Sequence, residues 1–222
     1  MKIYLGIELG STRIKAVAVD EKCNIISKGE YGWKSDFKGG VWTYSLDEAW
    51  KGLNIALKDA TSGIDKNSIS AVGISGMMHG YLAFDKDWNL LVPFATWQNT
   101  ITAEAAEELT KEFNFNIPQR WSACHLYQRV LNGEKHVKDV AHITTLAGYI
   151  HYCLTGENVV GIGEGSGMFP IDGKTNTYDK EMCDKFNALL RRHGIGKNIL
   201  DLLPEVKVAG EVAGRLINTE KV

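Results

Sequence analysis

Three short stretches of this sequence gather residue types that could do chemistry. The first is Glu8-Leu9-Gly10-Ser11-Thr12-Arg13-Ile14-Lys15. A glycine followed by two hydroxyl residues at a tight link leaves backbone N–H groups open to an anion. Gly10 is expected to take a positive φ there, which glycine adopts without steric cost. Glu8, just before the link, offers a hard oxygen for a divalent cation, directly or through water. A plain solvent-exposed hairpin turn is the competing reading. The second stretch, Gly76-Met77-Met78-His79-Gly80, carries an imidazole that can donate to or accept from a hydroxyl at neutral pH. The third, Trp97-Gln98-Asn99-Thr100, carries an indole face beside two amides. Taken singly, a histidine among methionines and a lone tryptophan are more often packing residues than ligand contacts.

The elements that must hold these stretches follow from periodicity. Ile3, Leu5 and Ile7 alternate with Tyr4, Gly6 and Glu8, residues 14–19 form a second β-branched run, and residues 25–31 a third. The chain is therefore expected to open with a three-stranded antiparallel meander. Residues 32–44, rich in glycine and aromatics, read as an extended loop. Ser45 with Glu48 forms a capping box for a helix running to about Thr61. Residues 69–75 read as a central strand covered on both faces, and the chain so far reads as the start of a ribonuclease-H-like sheet. Residues 81–85 and 90–97 are extended. Helices are expected over 103–113, 122–131, 143–154, stopped by Gly156, and 180–193. Residues 161–170 form a glycine-rich turn in which Glu164 is expected to be solvated. The tail, 203–217, is a loop with an edge strand. Each of the three reactive stretches thus sits at the C-terminal end of a strand, where open α/β sheets place ligands.

Composition narrows the function classes. The 222 residues are 44% apolar with a formal net charge of −2 and no basic run, which argues against nucleic acid as a partner. No apolar stretch reaches the length of a membrane span and no secretory pattern opens the chain, so no membrane association and a cytoplasmic location are expected. Cys23, Cys124, Cys153 and Cys183 are scattered without metal-ligand spacing and are expected to be free thiols. His125, His136, His142, His151 and His193 show no i, i+4 pairing, and no role is assigned to them.

The order of Glu8–Lys15, Gly76–Gly80 and Trp97–Thr100, continued by residues 149–157, Gly165-Ser166-Gly167 and Leu203-Pro204-Glu205-Val206, resembles the N-terminal domain of the FGGY carbohydrate kinases, and Met78-His79-Gly80 is most similar to the xylulokinases among them. The resemblance implies an α/β domain of the actin-like ATPase superfamily, with a mixed five-stranded sheet and helices on both faces. It implies one sugar-binding domain over residues 1–222, with the ATP-binding domain elsewhere. The activity implied is transfer of the γ-phosphate of ATP to a hydroxyl of a ketose such as xylulose, with ATP and Mg2+ as cofactors. Sugar and ATP are then the partners, and the resemblance admits a homodimer of the full-length enzyme. Gly10, Ser11, Thr12 and Lys15 would face the phosphates, Glu8 the metal, and Met78, His79 and Trp97 the sugar. The family commonly has Asp where this chain has Glu8, and often Asn-Asp where it has Gln98-Asn99. The catalytic base of the family lies in a Gly-Gly-x-Asp-like motif that is expected downstream of Val222, so these residues alone are expected to be inactive. A sugar- or phosphate-binding module without catalysis, or an actin-like ATPase switch, is the alternative.

Overall fold

The structure is a computed structural model that describes residues 1–217. The last residues of the expected 1–222 domain, Val222 included, lie outside them. The chain opens with β1 (Ile3–Leu9), β2 (Arg13–Val19) and β3 (Ile25–Gly32), the expected antiparallel meander. Alternation sorts the two faces: Ile3, Leu5, Ile7, Leu9, Ile14, Ala16 and Ala18 are buried, while Tyr4, Glu8 and Lys15 are exposed on the other side. Residues 32–44 are not the expected loop. They hold a hairpin, β4 (Asp36–Lys38) and β5 (Val41–Tyr44), turned by Gly39 and Gly40, both at positive φ. Phe37 and Trp42 pair across it with ring centroids 4.8 Å apart, so the aromatics that suggested irregular chain are a cross-strand pair.

Helix α1 (Leu46–Ala60) starts at Ser45, whose hydroxyl accepts the Glu48 N–H at 3.2 Å. Only this half of the capping box forms, because the Glu48 carboxylate is engaged by the Tyr31 hydroxyl and the Lys51 ammonium. The helix lies flat on the sheet because β3 has no side chain in the way at Gly29, where a Cβ would stand 2.1 Å from the Ala56 carbonyl oxygen. The chain continues through β6 (Ile69–Gly76), β7 (Leu82–Phe84), β8 (Phe94–Ala95), α2 (Ala103–Phe113), α3 (Ser122–Leu131), β9 (His142–Thr144), α4 (Leu146–Thr155), β10 (Val159–Gly161) and the short α5 (Ile162–Gly165). A small ribbon of β11 (Ile171–Asp172) and β12 (Thr177–Tyr178), then α6 (Lys180–Arg192), α7 (Ile199–Leu202) and β13 (Glu205–Lys207), complete it. Helices α2 and α3 have the expected bounds. Helix α4 begins later than expected, because residues 142–144 pair with β7 and Thr145 becomes the cap, its hydroxyl accepting the Gly148 N–H at 3.1 Å.

β6 returns parallel to β1, giving the order β3-β2-β1-β6. Among the described residues the sheet therefore has four strands, not five, and β6 is its edge, not a strand covered on both faces. Helices α1 and α4 share one core with the buried side of the sheet, so helices cover one face and not both. Ala71, Gly73 and Ser75 of β6 lie exposed on the open side with Tyr4 and Glu8. Small residues at alternate positions of β6 carry no signal of exposure, which is why periodicity misread it. A second core gathers α2, α3 and α6. Among the described residues no two cysteines are joined in a disulfide.

Candidate functional site

The β1–β2 link is closed by the Gly10 N–H, which donates to the Arg13 carbonyl at 3.0 Å. Its carbonyls are drawn inward one after another. Leu9 O accepts from Met77 N (2.9 Å), Gly10 O from the Trp33 indole (2.7 Å), Ser11 O from the Tyr44 hydroxyl (2.5 Å) and Thr12 O from Trp33 N (3.1 Å). Among the described residues, the amides and hydroxyls of Ser11 and Thr12 have no protein partner, and these are donors an anion can use. Gly10 does not take the expected positive φ. The position is glycine for lack of room: a Cβ would stand 3.0 Å from Arg13 O and 3.3 Å from Glu8 Oε1.

Glu8 and Lys15 are cross-strand partners, and Lys15 Nζ donates to Glu8 Oε2 at 2.9 Å. Both side chains are about half exposed, so the pair is worth no more than about 1 kcal/mol and opens easily. Beside it, Arg13 Nη1 donates to both Glu30 oxygens at 2.9 Å. This charged row, with Gly6, Gly73 and Ser75, lines a cavity of about 940 Å3 on the open face of the sheet. Among the described residues no cluster of three or more His, Cys, Asp or Glu side chains could hold a metal by itself. Glu8 alone fits a cation that takes its other oxygens from phosphate and water, as Mg2+ does, because the missing side chain at Gly10 leaves the carboxylate open toward the turn.

Beyond β6 the backbone turns left-handed twice, at His79 (φ 72°) and Gly80 (φ 92°). The Gly80 N–H donates to Arg120 O at 2.9 Å, which ties the turn to the start of α3. The half-buried His79 places Nδ1 3.1 Å from Gly167 O. A carbonyl only accepts, so Nδ1 carries the proton and Nε2 of the neutral ring is left as an acceptor. Burial holds the His79 pKa below 6.5; the bond to Gly167 opposes this, and the Arg120 charge adds to it. The ring and Met78 rest on Gly167, where a Cβ would stand 2.7 Å from the imidazole and 2.9 Å from Met78 Cε. Both neighbours are side chains that can yield. Gly167→Ala is therefore expected to displace the ring with little loss of stability, weakening any ligand held by Nε2 by about tenfold, the scale of one hydrogen bond. Calorimetry beside a thermal melt checks it; unchanged affinity would contradict it.

Trp97 is 41% exposed and so is not a core residue. Asn99 is: its side chain accepts from Trp42 N (2.8 Å) and donates to Trp42 O (2.8 Å) and Thr96 O (2.9 Å). It brackets β5 against the end of β8, so its amide is committed to the fold. The structure thus brings Met78, His79 and Gly80 together with Ala95, Thr96, Arg120 and Gly167, and Met77 to the end of β1.

Sequence reasoning missed Arg120 and assigned no individual role to Gly167 or His125. His125 is fully buried, stacked on Tyr81 at 6.3 Å and 17°, and neither ring nitrogen has a partner among the described residues. A solitary histidine on a helix gives no warning of this. Burial, reinforced by the Arg129 charge, pushes its pKa down to about 3. Between pH 6.5 and 3 the unfolded chain takes up a proton that the folded state refuses, so stability falls as pH falls through this window. His79, His136 and His142 are lowered chiefly by burial and act with the same sign. Urea unfolding is expected to show stability declining from pH 6.5 toward 4. In His125→Phe the slope should be shallower by up to about 1.4 kcal/mol per pH unit, one proton's worth. An equal slope would refute the assignment.

A mixed sheet of this order, with an amide-lined hairpin turn at its C-terminal edge, has the fold of the actin-like ATPases. The sequence model of the FGGY family of carbohydrate kinases, N-terminal domain, matches residues 3–221, and the chain belongs to that family. It is 28% identical to a glycerol kinase of Thermococcus kodakarensis over 96% of this chain and 44% of that protein. A xylulose kinase of Staphylococcus xylosus is 23% identical, over 100% of this chain and 46% of that one. The crystal structure of a ligand-bound xylulose kinase from Lactobacillus acidophilus superposes with a TM-score of 0.81 at 21% identity, covering 100% of this chain and 45% of its own. The chain spans less than half the length of these relatives. Among the described residues no helix is long and apolar enough to cross a membrane.

Proposed function

We propose that the chain is the sugar-binding half of an ATP-dependent kinase that moves the γ-phosphate of ATP onto a hydroxyl of a ketose, a pentulose such as xylulose. The observation that carries this reading is the 2.9 Å bond from Met77 N to Leu9 O. It locks the exit of β6 to the exit of β1, so the donors of Ser11 and Thr12 and the acceptor of His79 lie at neighbouring strand ends. An anion site beside a hydroxyl site is what phosphoryl transfer to an alcohol requires, since positioning and charge neutralisation carry most of that catalysis.

In this reading the donors of Ser11 and Thr12 receive the β- and γ-phosphates, Gly10 leaves room for them while its own N–H stays on Arg13 O, and Lys15 turns from Glu8 to the incoming charge. Glu8 would hold Mg2+, which when bound would neutralise charge on the phosphates. Neutral His79 accepts from a substrate hydroxyl and orients it, Met78 packs beside it, and the exposed Trp97 covers an apolar sugar face. The adenosine site is assigned to a second domain and the carboxylate base to a Gly-Gly-x-Asp-like motif downstream of Val222, in keeping with relatives of more than twice this length. Asp85 is not a base candidate: its carboxylate is occupied by Asn89 and the Asp87 N–H of the turn it closes. The pentulose preference is supported by the Met78-His79-Gly80 triplet and a xylulose kinase relative, while the glycerol kinase relative makes glycerol the competing acceptor.

Isothermal titration of the chain with D-xylulose, D-ribulose, L-ribulose, glycerol and ATP tests the reading. A pentulose is expected to bind more tightly than glycerol, and His79→Ala to weaken it by about 1–3 kcal/mol, an unpaired buried hydrogen bond. Tighter glycerol binding would replace the pentulose, and an absence of any polyol binding would overturn the assignment.

A further inference from the structure

We propose that Arg120 is a specificity-determining residue of the same sugar site. Its guanidinium donates to a carbonyl or carboxylate oxygen of the acceptor while His79 holds a neighbouring hydroxyl; this assignment rests on the sugar-kinase reading above. Two backbone bonds place the residue. The Arg120 carbonyl accepts at 2.9 Å from the N–H of Gly80, which directly follows His79, and three residues on the Ala123 N–H donates to Met168 O at 3.0 Å. Gly167, just before Met168, supplies the carbonyl that holds His79 Nδ1. Segment 120–123 is thus fastened both to the residue after the imidazole and to the residue after its hydrogen-bond partner. The turn leading into it is fixed as well, since the Trp121 N–H donates to Pro118 O at 3.1 Å and the Thr102 hydroxyl to Gln119 O at 2.5 Å.

The guanidinium itself is uncommitted. Arg13 and Arg129 are held by Glu30 and Glu134, whereas Arg120 is exposed and its side chain has no hydrogen bond or ion pair among the described residues. Its charge still reaches His79, whose pKa it helps to lower. Such an influence fades within about 10 Å in ordinary salt, so cation and imidazole share one opening. The two groups read opposite chemistry, since a guanidinium only donates and the free Nε2 of neutral His79 only accepts. The planar fork of arginine matches the in-plane lone pairs of a carbonyl or carboxylate. A hydroxyl, tetrahedral and carrying its own proton, fills that fork less well. An open-chain ketose presents a carbonyl beside its hydroxyls, and a sugar acid presents a carboxylate there. Glycerol and xylitol present hydroxyls alone. Arg120 is therefore a device for telling a ketose from glycerol, the two acceptors that stand in competition at this site.

The test is calorimetry on the chain and on Arg120→Leu and Arg120→Lys, using D-xylulose, D-xylonate, xylitol and glycerol, with melting temperatures in parallel. The His79 imidazole is followed by NMR titration without ligand. Arg120→Leu is expected to weaken D-xylulose by about tenfold or more, the scale of a hydrogen bond to a charged group, and to leave xylitol and glycerol nearly unchanged. The melting temperature should hold, because an exposed side chain is replaced. The His79 pKa should rise, because a nearby positive charge is gone. Arg120→Lys should restore part of the D-xylulose affinity and keep that pKa low, since it returns the charge without the fork. In wild type, D-xylulose bound ahead of D-xylonate identifies the ketone oxygen as the partner of Arg120, and the reverse order identifies the carboxylate. Unchanged affinity for both in Arg120→Leu, with wild type binding normally, overturns this inference alone. So does an unchanged His79 pKa, which would put the guanidinium elsewhere, or a loss shared equally by all four ligands, which a merely structural side chain would give. Failure of wild type to bind any of the four removes the sugar-kinase reading and this inference with it.

Discussion

Gly10→Val is expected to lower phosphoryl transfer in the proposed kinase by about a hundredfold or more, the loss typical when preorganised donors to a transferring group are removed. The reason is steric. Gly10 has no positive φ to lose, but a Cβ would press on Arg13 O at 3.0 Å and stand 3.3 Å from Glu8 Oε1. Valine adds two methyl groups where the carboxylate and the phosphates would meet. The turn can yield only by letting go of carbonyls held by Trp33, Tyr44 and Met77, which would swing the Ser11 and Thr12 amides off the phosphate. Sheet residues away from the link keep their partners, so the melting temperature should fall far less than activity does. A coupled assay of ADP release with D-xylulose, run beside a thermal melt, checks both halves. Turnover within a few-fold of wild type would remove the phosphate cradle from the hypothesis.

Gly80→Ala should produce the largest loss of stability among changes at the site. Gly80 sits at φ 92°, and its missing Cβ would lie 2.4 Å from Ala95 O and 3.0 Å from the Phe94 ring. Unlike the neighbours of Gly167, Ala95 O belongs to backbone fixed on both sides: it accepts the Tyr81 N–H at 2.8 Å, while the Gly80 N–H is held by Arg120 O. A left-handed alanine costs about 1–2 kcal/mol, and overpacking against backbone adds about 1–3 kcal/mol. In a chain of this size that corresponds to a melting temperature lower by roughly 5–15 °C. Any protein that still folds should bind sugar poorly, because His79 is the preceding residue and its left-handed backbone depends on this turn. A melting temperature within about 2 °C of wild type would show that the turn relaxes, and would weaken the case that it holds His79 in place.

The two variants differ for a reason that sequence alone does not carry. Both positions are glycines near strand ends, where glycine can take a positive φ without steric cost. Only one has it. Backbone hydrogen bonds from distant residues decide which: Met77, Trp33 and Tyr44 hold the first link, Arg120 and Ala95 the second.

What the sequence determined by itself was local. Strand alternation placed Ile3, Leu5 and Ile7 on the buried face, the bounds of α2 and α3 followed from their apolar spacing, and Ser45 and Gly156 marked helix ends through bonds made within a single turn. The order of the three reactive stretches was equally legible, since chain order requires no packing. Tertiary structure decided what each polar group is free to do. The tautomer of His79 is set by a carbonyl 88 residues away. Asn99 is consumed by the backbone of Trp42, 57 residues upstream. The burial of Glu164 Oε2 and His125 and the exposure of one face of β6 depend on which elements lie over them. A hydrogen bond or a pKa depends on distance and desolvation, and both are created only when segments far apart in sequence come together.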